Sequence, residues 1–180
     1  DLEPYRIALS RICREAEKIA SEAAASGRAD AAVHVVCEIT KLLENEPLFN
    51  AGRGSVFTRE ETHELEASIM DGQTRKCGAC SLVKHYRNPI AVAKAVMEHT
   101  PHVYMAGEGA EALAAQHCAD DQVTQDYFST EIRREQLKAA KQRQIVSALI
   151  DHTTFDQNES NGTYLGLSHP NLQLNELLNR

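Results

Sequence analysis

A chain of 180 residues, 42% hydrophobic and 25% charged, suffices for one globular domain with a substantial core. Its formal net charge of -7, with no stripe of Lys and Arg interleaved with aromatics, argues against nucleic acid as a partner, because duplex binding needs clustered cations to displace counterions. No apolar run approaches the roughly 18 residues that span a bilayer, the first residues carry no signal-peptide pattern, and the cytoplasm is the expected compartment.

The stretch from Pro4 to about Ala25 reads as an amphipathic helix, with Tyr5, Leu9, Ile12, Ala16, Ile19 and Ala23 at helical spacing and Ser26-Gly27 as its stop. A second helix is expected after Asp30, read as its N-cap, and runs to about Glu44. Its apolar residues occupy more than one stripe, which predicts cover from two sides. Pro47-Leu-Phe-Asn-Ala-Gly-Arg-Gly-Ser55 follows as a turn-rich loop. From Glu64 to Met70 the pattern alternates like a strand, Asp71-Gly72 marks a turn, and Cys77 to Val83 reads as the returning strand. Asn88-Pro89 opens a third helix, with Asn88 read as N-cap and Pro89 at the first helical position, and Thr100-Pro101 ends it. A short strand at His102 to Met105, a helix after Gly107 and another over roughly Thr130 to Gln144 complete the ordered part. The sequence thus divides into residues 1–151 and a polar linker and tail, 152–180, expected to be mobile.

Five cysteines, Cys13, Cys37, Cys77, Cys80 and Cys118, are too few and too scattered for a disulfide scaffold. Cys77-Gly-Ala-Cys80 has the spacing of a redox or zinc hairpin, but residues three apart on a strand face opposite ways and no second ligand pair follows. Reduced, buried thiols are the expectation.

Periodicity alone yields an α/β protein; several exact strings carry more. Pro47-Leu-Phe-Asn-Ala-Gly-Arg-Gly-Ser-Val-Phe-Thr58, His63-Glu-Leu-Glu-Ala-Ser-Ile-Met-Asp-Gly72, Asn88-Pro-Ile90, Thr100-Pro-His102 and Gly107-Glu-Gly-Ala-Glu111 follow in order. Together they resemble the α-subunit of plant-type L-asparaginases and isoaspartyl peptidases, a family of N-terminal-nucleophile hydrolases. The resemblance covers Pro4 to about Asp151.

This resemblance implies an αββα sandwich, of which the chain supplies the α-subunit portion only. It implies a precursor that cuts itself before a Thr, whose hydroxyl then attacks L-asparagine or a β-aspartyl dipeptide. No catalytic cofactor is implied. The expected partners are a β-subunit of the same precursor, an (αβ)2 assembly and a small-molecule or dipeptide substrate. Gly162-Thr163 falls where the family's cleavage site is expected, which makes Thr163 the candidate nucleophile. The alternative is a linker threonine, because Pro170 stops the strand that should follow. Family members also open with a glycine-rich strand that this sequence lacks at Asp1, so an exposed sheet edge is expected unless another chain supplies that strand.

Carried over by position, the backbone carbonyls of Leu43, Glu44, Glu46, Phe49, Ala51 and Arg53 would wrap a structural sodium ion. A glycine turn that needs no ion is the alternative. Asn50 resembles a polar residue that braces the nucleophile region; local turn satisfaction is its competing role. Asp71 is expected to serve its turn, and His63, His99 and His102 to be solvated or hydrogen-bonded. The function implied is hydrolysis of asparagine and β-aspartyl dipeptides; the alternative is a catalytically silent fragment or dimerisation module on the same fold.

Overall fold

The computed structural model describes residues 2–142 and the paired segments 146–147 and 154–155. In chain order the elements are α1 (Glu3–Ala25), α2 (Ala31–Glu44), β1 (Leu65–Met70), β2 (Cys77–Val83), α3 (Pro89–His99), β3 (Tyr104–Ala106), α4 (Gly107–His117), α5 (Glu131–Gln142), β4 (Val146–Ser147) and β5 (Thr154–Phe155). The result is an α/β architecture with a three-stranded sheet in the order β1-β2-β3, and β4 and β5 paired separately.

The sheet begins as the antiparallel hairpin that the alternation predicts, and β3 adds to β2 in parallel. Asp71 builds the turn: its carboxylate accepts the N–H groups of Gln73 and Thr74 and the Thr74 hydroxyl. Leu65 faces Val83 while Ala67 faces Cys80, so β2 carries one extra residue there, and Leu82 takes a left-handed φ of 55°. Such a bulge bends the strand and increases its twist. The third strand starts at Tyr104 rather than His102, because Thr100 first closes a turn by accepting the His102 N–H.

α3 lies on β1 and β2, with α4 beside it, α2 behind it and α1 outermost against α2. Pro89, Ile90, Val92, Ala93, Ala95, Val96 and Met97 are all buried, so this helix is apolar nearly all round because it is covered nearly all round. Gly78 permits the contact with the sheet: a Cβ there would collide with the Ala93 carbonyl and the Met97 backbone. This steric demand, rather than a redox or metal role, explains the glycine between the two cysteines. All five cysteines are free, and burial pushes the Cys80 thiol up to about 12.

Three expectations need correction. Asp30 and Asn88 make no side-chain cap bond. Asp30 pairs with Arg28, whereas Asn88 donates its amide to Glu44 at 2.9 Å. In α1 the buried line is Ala8, Ile12 and Ala23, leaving Tyr5 and Leu9 exposed. α2 meets α1 and α3 as predicted, yet Val36 stays 53% exposed, so its second stripe is incompletely covered by the described residues. Apart from Thr154–Phe155, which pair with Val146–Ser147, the linker and tail lie outside the described residues, as does the end of the last helix beyond Gln142.

The start of α3 is satisfied from a distance. Ile90 donates its N–H to Glu44 Oε1 at 3.0 Å, and Asn88 Nδ2 donates to Glu44 Oε2, so the last residue of α2 caps α3. Removing a buried acceptor strands its donors at about 1–3 kcal/mol each. Glu44→Ala should therefore lower the thermal midpoint by roughly 4–24 °C, with a smaller loss for Glu44→Gln, which keeps one acceptor. Circular-dichroism melts check this; an unchanged midpoint in both variants would remove Glu44 as the cap.

Candidate functional site

The turn-rich segment 45–58 folds back on the end of α2, as its composition requires. Gly52, at φ 49°, sits where a Cβ would collide with the Glu44 carbonyl oxygen, and a Cβ on Gly54 would meet the carbonyl oxygens of Phe49 and Pro47. Glycine is needed at Gly52 both for its left-handed backbone and for that approach. The loop thereby gathers main-chain oxygens around a short 3-10 turn, Gly52–Gly54.

Of the six residues expected to supply carbonyls, Leu43 and Glu44 end α2, and Glu46, Phe49, Ala51 and Arg53 lie along this loop. Leu43, Glu46 and Ala51 already accept turn hydrogen bonds from Glu46, Phe49 and Gly54 at 3.1–3.3 Å. Each carbonyl retains a second lone pair. The Glu44 and Phe49 oxygens face glycines rather than side chains. An all-oxygen main-chain set of this kind fits a hard cation. Among the described residues, no group of three or more His, Cys, Asp or Glu side chains could hold a metal.

Asn50 is exposed, and its Oδ1 accepts the Val56 N–H at 2.9 Å, which closes the loop locally. Gly162 and Thr163 lie outside the described residues.

Side chains from remote elements fasten the loop. Arg133 of α5 is buried and donates Nε–H to the Gly54 carbonyl at 2.6 Å. His63 is buried between Ser55 and Ser129, with Nδ1 3.0 Å from the Ser55 hydroxyl and Nε2 3.1 Å from that of Ser129. Gln125 accepts the His63 N–H at 2.6 Å and donates to the carbonyls of His63 and Lys84, bridging the entry of β1 and the exit of β2. On the outer side, Arg11 pairs with Glu46, Tyr5 packs edge-on to Phe49, and Arg53 lies over the Tyr127 ring.

Burial pushes the Glu44 carboxyl up to about 7, against the hydrogen bonds from Asn88 and Ile90, which favour its charged form. Burial also holds the His63 imidazole below its ordinary value, opposing backbone contacts from Val56 and Ser55 and reinforced by the Arg134 guanidinium. Sequence reading missed Glu44 as a side chain, along with Gln125 and Arg133. The one available signal was that the helix starting at Pro89 needs an acceptor for the Ile90 N–H.

A family model described as asparaginase matches residues 2–166. The chain belongs to this asparaginase family. It is 48% identical over 136 residues to an isoaspartyl peptidase of Escherichia coli K12, covering 74% of this chain and 41% of that protein. It is 45% identical over 162 residues to an isoaspartyl peptidase of Salmonella typhimurium, covering 88% of this chain and 49% of that protein. A plant-type L-asparaginase of Pyrococcus furiosus is 48% identical over 83 residues, covering 46% and 27%. The chain thus spans about half the length of the curated relatives it matches, or less. No described helix is long and apolar enough to cross a membrane.

The buried imidazole sets a pH dependence. Because His63 binds its proton less readily folded than unfolded, the unfolded chain takes up more protons below its ordinary value of about 6.5. The stability this contributes is complete above about pH 6.5 and is lost as pH falls through that range. Urea midpoints at pH 7.5 and 5.5 should fall further for the native sequence than for His63→Gln; equal falls would place the acid sensitivity elsewhere.

Proposed function

We propose that this chain is the α-portion of a hydrolase acting on L-asparagine and β-aspartyl dipeptides, working with a β-subunit released from the same precursor. The observation that carries this reading is 45% identity over 162 residues to an isoaspartyl peptidase, a stretch that makes up 49% of that relative. The exposed Met70, Leu82 and Tyr104 side chains on the β1, β2 and β3 strands support it. They share their face of the sheet with Glu66, Ser68 and Ser81, and the second sheet of an αββα sandwich would lie there. A cytoplasmic location and an (αβ)2 assembly belong to the same reading.

In this mechanism water hydrolyses a precursor peptide bond before a threonine, leaving a carboxylate on the preceding residue and freeing the threonine α-amine. That amine, titrating near about pH 8, takes the hydroxyl proton as the oxygen attacks the side-chain amide. The C–N bond breaks, ammonia or an amino acid leaves with the proton, and a β-aspartyl ester remains. Water then hydrolyses the ester to aspartate and restores the hydroxyl. Oxyanion donors must face each tetrahedral intermediate. Thr163, after Gly162, is our candidate nucleophile within this chain, and Asn50 our candidate brace for the loop near it. The second reading, a silent binding or dimerisation portion, draws on Pro170, which interrupts the strand expected after Thr163.

Mass spectrometry of the purified protein should find a polypeptide that begins with Thr, and ammonia should be released from asparagine or a β-aspartyl dipeptide. Thr163→Ala should abolish both. Cleavage and turnover that survive Thr163→Ala would move the nucleophile elsewhere, and the absence of both from the native sequence would sink the enzyme reading for this chain.

We further propose that the carbonyls of Leu43, Glu44, Glu46, Phe49, Ala51 and Arg53 hold a structural sodium ion. The glycine-faced oxygens of Glu44 and Phe49 support this. Melts at equal ionic strength should give a higher midpoint in sodium chloride than in choline chloride; equal midpoints would leave the loop as a turn without an ion.

A further inference from the structure

At the opposite end of α3 from Glu44, two imidazoles meet. His99 and His117 occupy the last turns of α3 and α4, their ring centroids 3.9 Å apart and their planes within 5° of parallel. Both residues are exposed, and among the described residues neither ring makes a hydrogen bond or an ion pair. We propose that His99 and His117 form a two-imidazole site for a divalent first-row transition metal, of the class of Zn2+, Ni2+ and Cu2+.

The ligand type selects the ion. Neutral imidazole suits Zn, Cu and Ni, whereas hard cations such as Mg2+ and Ca2+ require oxygen ligands. The helices supply favourable potential as well, because the unsatisfied carbonyls of a last turn carry partial negative charge and attract a cation. Two such turns converge here.

Geometry permits the step from stack to chelate. With metal–nitrogen bonds of about 2.0–2.1 Å, two neighbouring ligand nitrogens stand about 3 Å apart. Coordination places the metal in the plane of each ring, and the two planes are within 5° of parallel, so both exposed rings must turn about their side-chain bonds until a nitrogen of each converges on the ion.

The two ligands come pre-positioned. α3 and α4 pack together, and Val96 and Met97 on one and Ala114 on the other are buried beside the last turns. Bringing the imidazoles together therefore costs no new ordering of backbone, which favours binding. Water would complete the coordination, and the bound metal would clamp the two helix ends.

This site is independent of the hydrolase reading and is tested apart from activity. Zinc chloride titrated calorimetrically into the full chain, with sub-stoichiometric copper(II) in parallel NMR spectra, reads both affinity and place. We expect the ring signals of His99 and His117 to broaden first. His99→Asn and His117→Asn should each keep the metal-free melting midpoint and weaken zinc binding by about tenfold or more. Broadening centred on other histidines or on cysteines, zinc affinity unchanged in either variant, or no zinc binding by the native sequence would overturn the assignment.

Discussion

A carboxylate with almost no access to water joins the parts of this molecule that matter most to one another. Glu44 ends α2, caps α3 through the Ile90 N–H and the Asn88 amide, and presents its own carbonyl to Gly52. Burying a charge is costly unless it is hydrogen-bonded, and here one donor reaches each oxygen. The position at a helix N-terminus adds a favourable potential for negative charge. Because α3 in turn lies against Gly78, the same carboxylate fixes the helix layer relative to the sheet. The loop begins one residue after it, so the loop's origin and the core's central helix share one anchor.

How far the sequence reveals this depends on whether a feature is local. The extents of α1, α2 and β2 follow from periodicity and turn residues, since each is set by contacts a few residues apart. The caps do not: Asn88 and Asp30 have the right side chains for capping, but a longer-range partner claims each of them. Glu44 looks like a solvated helix-end glutamate until α3 is placed over it. Gln125 and Arg133 likewise have no local signature, because each satisfies backbone groups more than 40 residues away along the chain. The loop was legible as a loop and as a family string; the residues that hold it were not.

Membership of the asparaginase family accords with this division. What the described residues contain is scaffold: a sheet with one covered face, a helix layer and a glycine-rich loop rimmed by carbonyls. The reactive group of the proposed mechanism lies beyond them. On the reading proposed above, this scaffold meets a second portion, and holding its elements in one arrangement before contact avoids an ordering cost that would subtract from the affinity.

The loop is secured largely by polar side chains, as that proposed role favours. Gly52 and Gly54 let its carbonyls crowd together, and the same glycines leave the backbone free to adopt other shapes. Hydrophobic contact is non-directional and would tolerate several of those shapes. Hydrogen bonds discriminate, because a buried donor or acceptor left unmatched costs more than the bond contributes. Arg133 on the Gly54 carbonyl and His63 between Ser55 and Ser129 each select one loop geometry in this way, and the exposed Asn50 closes the loop on the Val56 N–H. The Arg133 and His63 ties run to α5 and to Ser129 just before it, so the loop and the start of α5 are held together.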